Sequence, residues 1–152
     1  MLQMTEQQIL TKLTAVCSRA EHCKEDMRRK MERWEVEDDM QEKVIAYLVK
    51  EQYIDEERYA RSFIRAKKEY NHWGEKKIEQ ALYMKRIPKD IYEPILKEIC
   101  NNDFYDILKS LLQNKKRSVK ASSDYELRGK LMRFAMQRGF TYDQICEVID
   151  EI

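Results

Sequence analysis

Glycine and proline are scarce in this chain, with three Gly and two Pro in 152 residues. That scarcity leaves few positions for tight turns. No run alternates and then breaks at a turn in the way a β-hairpin does. Uncharged stretches are short, far below the roughly 20 apolar residues that a membrane span needs. The opening MLQMTEQQIL has no basic start followed by an apolar run. No secretory signal and no membrane partner are therefore expected, and the chain is placed in the cytoplasm. Cys17, Cys23, Cys100 and Cys146 show no paired framework and no CxxC spacing, so reduced thiols are expected rather than disulfides or zinc. Two histidines, His22 and His72, lie far apart, and no phosphate-binding GxxxxGK occurs. With no nucleophile, base or metal arrangement in view, the chain reads as a non-enzyme without cofactor.

Charge and helical periodicity are what remain. Charged residues make up 38% of the chain and methionine is plentiful, with eight. The fold class is all-α, with about nine helices. The spacing predicts helices over 5–19, 24–34, 38–51, 55–71, 75–85, 88–100, 103–116, 123–138 and from 141 to the end. Thr5 with Gln8, Ser123 with Glu126 and Thr141 with Gln144 read as capping boxes, and Asp55 as an N-cap. Residues 117–123 read as a loop, and Pro94 is expected to kink its helix. Tyr59, Phe63, Ala66 and Tyr70 recur at helical spacing and are read as a core face, with Trp73 also assigned to packing.

A repeat runs through these helices. Met27, Met31, Val36, Met40, Val44 and Leu48 fall on Ile78, Leu82, Ile87, Ile91, Ile95 and Ile99 with a constant offset of 51. A further shift of 53 reaches Leu131, Ala135, Phe140, Gln144, Val148 and Ile152, with Ile145 able to stand in for Gln144. Three tandem three-helix repeats follow, over 1–54, 55–101 and 102–152, stacked into an elongated, curved body.

The net charge of +1 conceals segregation. Arg58 to Arg86 carries nine bases against three acids, and Lys109 to Arg138 nine against two. Such blocks suit an anionic partner surface. The candidate residues are Arg58, Arg61, Arg65, Lys67, Lys68, Lys76 and Lys77 in the middle block. Arg28, Arg29 and Arg33 precede them, and Lys115, Lys116, Arg117, Arg128 and Arg133 follow.

The stretch Tyr53–Ile54–Asp55–Glu56–Glu57–Arg58–Tyr59–Ala60–Arg61–Ser62–Phe63 resembles the central signature of the RecX family of regulatory proteins. Trp73–Gly74, Ile78, Leu82 and Arg86–Ile87 continue the resemblance, as does Phe134 with Arg138–Gly139–Phe140. The resemblance implies three tandem three-helix repeats. It also implies a monomeric modulator of the RecA recombinase that lies in the groove of the nucleoprotein filament. Such a modulator limits ATP hydrolysis and strand exchange, within DNA repair, recombination and the SOS response. The chain departs from the family where a Gly is usual before the turn, placing Glu35 and Arg86 there and keeping only Gly139. The alternatives are a helical protein acting directly on duplex or single-stranded DNA, and a plain protein–protein scaffold.

Overall fold

The computed structural model describes residues 3–152, and among them there are nine helices and no strand. They are α1 (Glu6–Arg19), α2 (Lys24–Arg33), α3 (Asp38–Lys50), α4 (Glu56–Glu69), α5 (Glu75–Met84), α6 (Lys89–Cys100), α7 (Tyr105–Ser118), α8 (Asp124–Gln137) and α9 (Tyr142–Ile149). The starts follow from their caps. Thr5 and Thr141 form full capping boxes with Gln8 and Gln144, and the Asp55 carboxylate accepts from the Arg58 N–H at 3.0 Å. These oxygens satisfy N–H groups that the first turn would otherwise leave without a partner.

Some local expectations are corrected. Ser123 caps α8, but Glu126 does not return to it. Its carboxylate accepts from the Ser122 hydroxyl at 2.6 Å and Ser122 N–H at 3.2 Å, and pairs with Lys130 at 3.0 Å. Those contacts, the hydroxyl first, pull the Glu126 carboxyl down to about 2. Arg117 and Ser118 belong to the last turn of α7, so the loop is shorter than 117–123. α6 contains Pro94 within its Lys89–Cys100 span, as expected. The carbonyl that Pro94 leaves without a donor belongs to Asp90, an exposed residue of the first turn. On α4 the buried face is Tyr59, Ala60 and Ile64, with Phe63 packed against it. Tyr70 is 81% exposed, because the helix has already ended at its C-cap there.

Each repeat has its own core. The first gathers Ile9, Leu13, Met27, Met31, Val44 and Leu48. The second gathers Ile64, Ile78, Leu82, Ile87 and Ile95. The third gathers Leu108, Leu112, Leu131, Phe140, Ile145 and Val148. Gln144 stays half-buried at the helix start while Ile145 is fully buried, and the matching Met40 and Ile91 are also only half-buried. The offset thus marks a rim position in all three repeats.

The turn joining the second and third helices of each repeat is the same structure built three times. Glu35, Arg86 and Gly139 adopt left-handed φ values of 58°, 57° and 99°. The next N–H reaches back five residues: Val36 to the Met31 carbonyl at 3.0 Å, Ile87 to Leu82 at 3.1 Å and Phe140 to Ala135 at 3.2 Å. The left-handed residue itself donates to Glu32, Tyr83 and Met136 respectively. This is the Schellman arrangement, in which the helix end is closed by two bonds and an apolar residue follows.

Glycine relieves the strain of left-handed backbone, which costs other residues about 1–2 kcal/mol. It also adds about 0.5–1 kcal/mol of unfolded-state entropy. Glu35→Gly is therefore expected to raise unfolding free energy by up to about 1 kcal/mol. Gly139→Ala is expected to lower it by about 3 kcal/mol, because the new Cβ would lie 2.5 Å from the Lys77 Cβ. Urea unfolding followed by circular dichroism measures both, and an unchanged Gly139→Ala midpoint would contradict this account of the turn.

Candidate partner-binding surface

Many of the candidate cations are already engaged within the chain. Arg58 Nε lies 2.5 Å from Glu21 Oε1, and its Nη2 donates to the Gln52 carbonyl at 3.1 Å. Arg61 pairs with Glu98 of α6. Lys68, with a side chain only 12% exposed, donates to the Ile99 carbonyl at 2.8 Å and lies 3.3 Å from Asp103. Arg128 pairs with Asp150. Arg29 donates to the Met84 carbonyl at 3.3 Å, Arg33 to the Arg29 carbonyl at 3.4 Å and Lys116 to the Ile152 carbonyl at 3.4 Å. Arg28 stands 3.8 Å from Glu42. Arg65, Lys76, Arg117 and Arg133 are exposed and form no ion pair among the described residues.

The remaining three, Lys67, Lys77 and Lys115, rest on aromatic rings. Lys67 Nζ lies 4.7 Å and Lys77 Nζ 4.4 Å from the centroid of Trp73. Lys67 also lies 5.4 Å from Phe63. Across the joint to the third repeat, Lys115 Nζ is 5.0 Å and Arg138 Cζ 5.3 Å from Phe134. A cation over a ring face gains about 0.5–1 kcal/mol at an exposed site and keeps its outer N–H donors free.

Backbone contacts bring the two aromatic mounts together. α5 begins at Gly74, whose N–H donates to the Arg138 carbonyl at 2.7 Å, while the Lys76 N–H donates to the Gly139 carbonyl at 3.2 Å. The first N–H groups of α5 are thus capped by the carbonyls that end α8. The positive end of one helix dipole meets the negative end of another. The approach leaves no room for side chains. A Cβ on Gly74 would stand 2.4 Å from the Gly139 carbonyl carbon. Arg138 Nη1 adds a bond to the Asn71 carbonyl at 2.8 Å. The result is a strip running Lys67, Trp73, Lys77, Arg138, Phe134 and Lys115 across a backbone-locked joint.

Charge counting along the sequence finds Lys67, Lys77 and Lys115, counts Arg138 without singling it out, and misses Trp73 and Phe134. Trp73 is half-buried and packs on the second core, so its assignment to packing is right for one edge of the ring and misses the other. A usable signal was present: two of the three glycines follow Trp73 and Arg138 directly. Among the described residues, no group of three His, Cys, Asp or Glu could hold a metal, and no helix is long and apolar enough to cross a membrane. The strip offers cations and π faces, which suit an anion carrying flat groups.

Residues 55–93 match the family described as "RecX, second three-helix domain", and 102–149 match "RecX, third three-helix domain". The chain is 30% identical over 128 residues to the regulatory protein RecX of Vibrio parahaemolyticus serotype O3:K6, covering 84% of this chain and 81% of that protein. It is 31% identical over 111 residues to the regulatory protein RecX of Clostridium botulinum strain Eklund 17B, covering 72% of this chain and 51% of the relative. The chain therefore spans about four-fifths of one curated relative and half of the other. Among solved structures, a crystal structure of regulatory protein RecX superposes with a TM-score of 0.88 at 18% identity, over 96% of this chain and 73% of that one. RecX from Lactobacillus salivarius gives 0.81 at 20% identity, over 96% and 95%. At these identities the superpositions speak for the fold.

Gly74→Ala should push the third repeat off the start of α5. Its expected effects are a loss of about 2 kcal/mol or more in unfolding free energy and a red shift of Trp73 emission in a Trp34→Phe background. Unchanged stability and emission would contradict the backbone lock.

Proposed function

We propose, from the premise that this chain belongs to the RecX family of regulatory proteins, that it binds the filament a RecA recombinase forms on DNA. By occupying the filament groove it restrains ATP hydrolysis and strand exchange. It works in the cytoplasm as a monomer, without catalysis or cofactor of its own. The observation that supports this reading is the strip of ring-mounted cations across the second and third repeats. Arg65 and Lys76 stand in the same stretch of chain as Lys67 and Lys77, and Arg117 in that of Lys115. A regulator without catalytic groups acts through occupancy. It shifts the filament's conformational balance only by the difference in its affinity for two filament states. A spaced, rigid array of cations suits that task, because it fixes the separation between contact points. The lock at Gly74 and Gly139 supplies the rigidity.

Direct action on DNA is the second reading, favoured by the π faces of Trp73 and Phe134, on which bases can stack. The two separate by salt dependence. A direct DNA binder gains about 0.9 in its log–log salt slope for each phosphate it neutralises, whereas the groove binder holds free DNA weakly and filaments well.

Added at substoichiometric amounts, the chain is expected to inhibit filament ATPase and strand exchange. The variant Lys67→Glu with Lys77→Glu and Lys115→Glu should need at least about ten times more protein for equal inhibition, about 1.4 kcal/mol of binding, at unchanged helicity. No inhibition by the native chain would sink the reading. Full inhibition by the variant would place the contact surface elsewhere.

A further inference from the structure

The two joints between repeats are built from different physics. Joint 2–3 is closed by backbone hydrogen bonds and the Gly74–Gly139 approach. Among the described residues no bond between backbone groups crosses joint 1–2. Instead, the corner between α1 and α2 directs three acids at three bases of the second repeat. Glu21 meets Arg58 at 2.5 Å, Asp26 meets Lys85 at 2.5 Å and Glu25 meets Arg86 at 3.3 Å. The carboxylates are the more enclosed partners. Glu25 and Asp26 side chains are 10% and 16% exposed, while Arg86 is 76% exposed. A groove of about 880 Å³ lies beside the Glu25–Arg86 pair, where Arg28, Arg29, Arg86 and Lys89 outnumber Glu25 and Glu32 and Tyr83 is on the wall. Tyr83 is 72% exposed.

We propose that joint 1–2 is an electrostatic latch: Glu21, Glu25 and Asp26 hold Arg58, Lys85 and Arg86 in the free chain, and a nucleic-acid backbone takes over those cations and swings the first repeat away. The coupling follows from burial. A phosphate can reach the exposed guanidinium of Arg86 without disturbing the fold, and guanidinium forks onto phosphate oxygens in two parallel bonds. Once the bases turn to phosphate, Glu25 keeps only Arg29, at 3.8 Å, and Asp26 only His22 Nδ1 and the Cys23 N–H, each at 3.3 Å, so both carboxylates stay enclosed with weaker partners and beside new negative charge. An uncompensated buried charge is strongly unfavourable, and separating the repeats lets water reach it. The exposed ring of Tyr83 beside Arg86 gives a base a face to stack on, which favours nucleic acid over an acidic protein segment. This step is independent of any recombinase and concerns a joint that the ring-mounted strip does not use.

Cys23 reports the state of this joint. It comes from the first repeat, at the cap of α2, yet it packs fully buried in the second repeat's core. Burial pushes its thiol up to about 11. Cys100, 6% exposed, sits in the same core but belongs wholly to the second repeat, and its thiol is likewise pushed up to about 11. Cys23 is unsealed when joint 1–2 opens, while Cys100, which faces Phe104, Ile107 and Phe140, is unsealed only when the second repeat itself opens or the third repeat leaves it.

The test is N-ethylmaleimide labelling of the full chain, read at each cysteine by mass spectrometry. Raising salt from about 0.1 M to about 1 M shortens the screening length from about 10 Å to about 3 Å. Cys23 labelling is expected to rise about tenfold while Cys100 stays constant. A single-stranded oligothymidylate at low salt should produce the same selective rise. Lys85→Met with Arg86→Met should label quickly at low salt and respond no further to the oligonucleotide. No change at Cys23, or a rise shared with Cys100, would overturn the latch, as would slow labelling in the double variant. Release by polyglutamate and not by the oligonucleotide would overturn its assignment to nucleic acid.

Discussion

A left-handed residue after the second helix of every repeat is the constraint on which the rest depends. At Glu35, Arg86 and Gly139 the chain reverses with the same pair of hydrogen bonds and drops an apolar side chain, Val36, Ile87 or Phe140, toward its own core. Because the closure is the same, the two helices it joins meet the same way three times, and the core positions repeat. The third turn has a second duty. Its carbonyls accept from the start of α5, so the turn inside the third repeat is also where the second repeat is docked. This explains why glycine survives only there. At Glu35 and Arg86 a side chain adds left-handed strain but has room, as both residues are exposed and Arg86 reaches Glu25 across the joint. At Gly139 a Cβ would meet the Lys77 backbone nitrogen at 2.7 Å.

The docking of α5 on the third turn decides which part of the surface is stiff. Exposed ion pairs contribute only about 0–1 kcal/mol and are screened by salt, so cations alone could not hold two repeats at a fixed spacing. Backbone bonds and a close glycine contact can. The strip carrying Lys67, Lys77, Arg138 and Lys115 is laid across that stiff joint. The joint joining the first repeat, by contrast, surrounds the buried Cys23 with ion pairs that a strong polyanion can compete for. One chain thus contains a rigid presenting unit and a repeat held by replaceable contacts.

The fold could be read from the sequence because its determinants are local. Caps such as Thr5, Asp55 and Thr141 act over three residues, and the apolar stripes act over one or two turns. The offset across Met27 to Leu48 and Ile78 to Ile99 spans the turn itself, so it conveys the helix-pair geometry as well. What escaped was non-local. Arg58, Arg61 and Lys68 look like an open ridge along α4, but their partners Glu21, Glu98 and Asp103 lie 35–37 residues away in the chain. No periodicity within α4 could show that they were occupied. Tyr70 fits the helical period yet falls past the last turn, where the period no longer applies. Trp73 reads as core by type, and only the approach of the third repeat turns its outer face into a mount for two lysines.

The strip across the second and third repeats is the surface proposed to meet the filament. Hydroxyl-radical footprinting of the chain alone and bound to a recombinase–DNA filament tests it directly, because rings are oxidised where solvent reaches them. Oxidation of Trp73 and Phe134 is expected to fall together on binding while exposed Tyr125, 90% accessible and outside the strip, keeps its reactivity. Filament binding with Trp73 and Phe134 oxidised as in the free chain would contradict it.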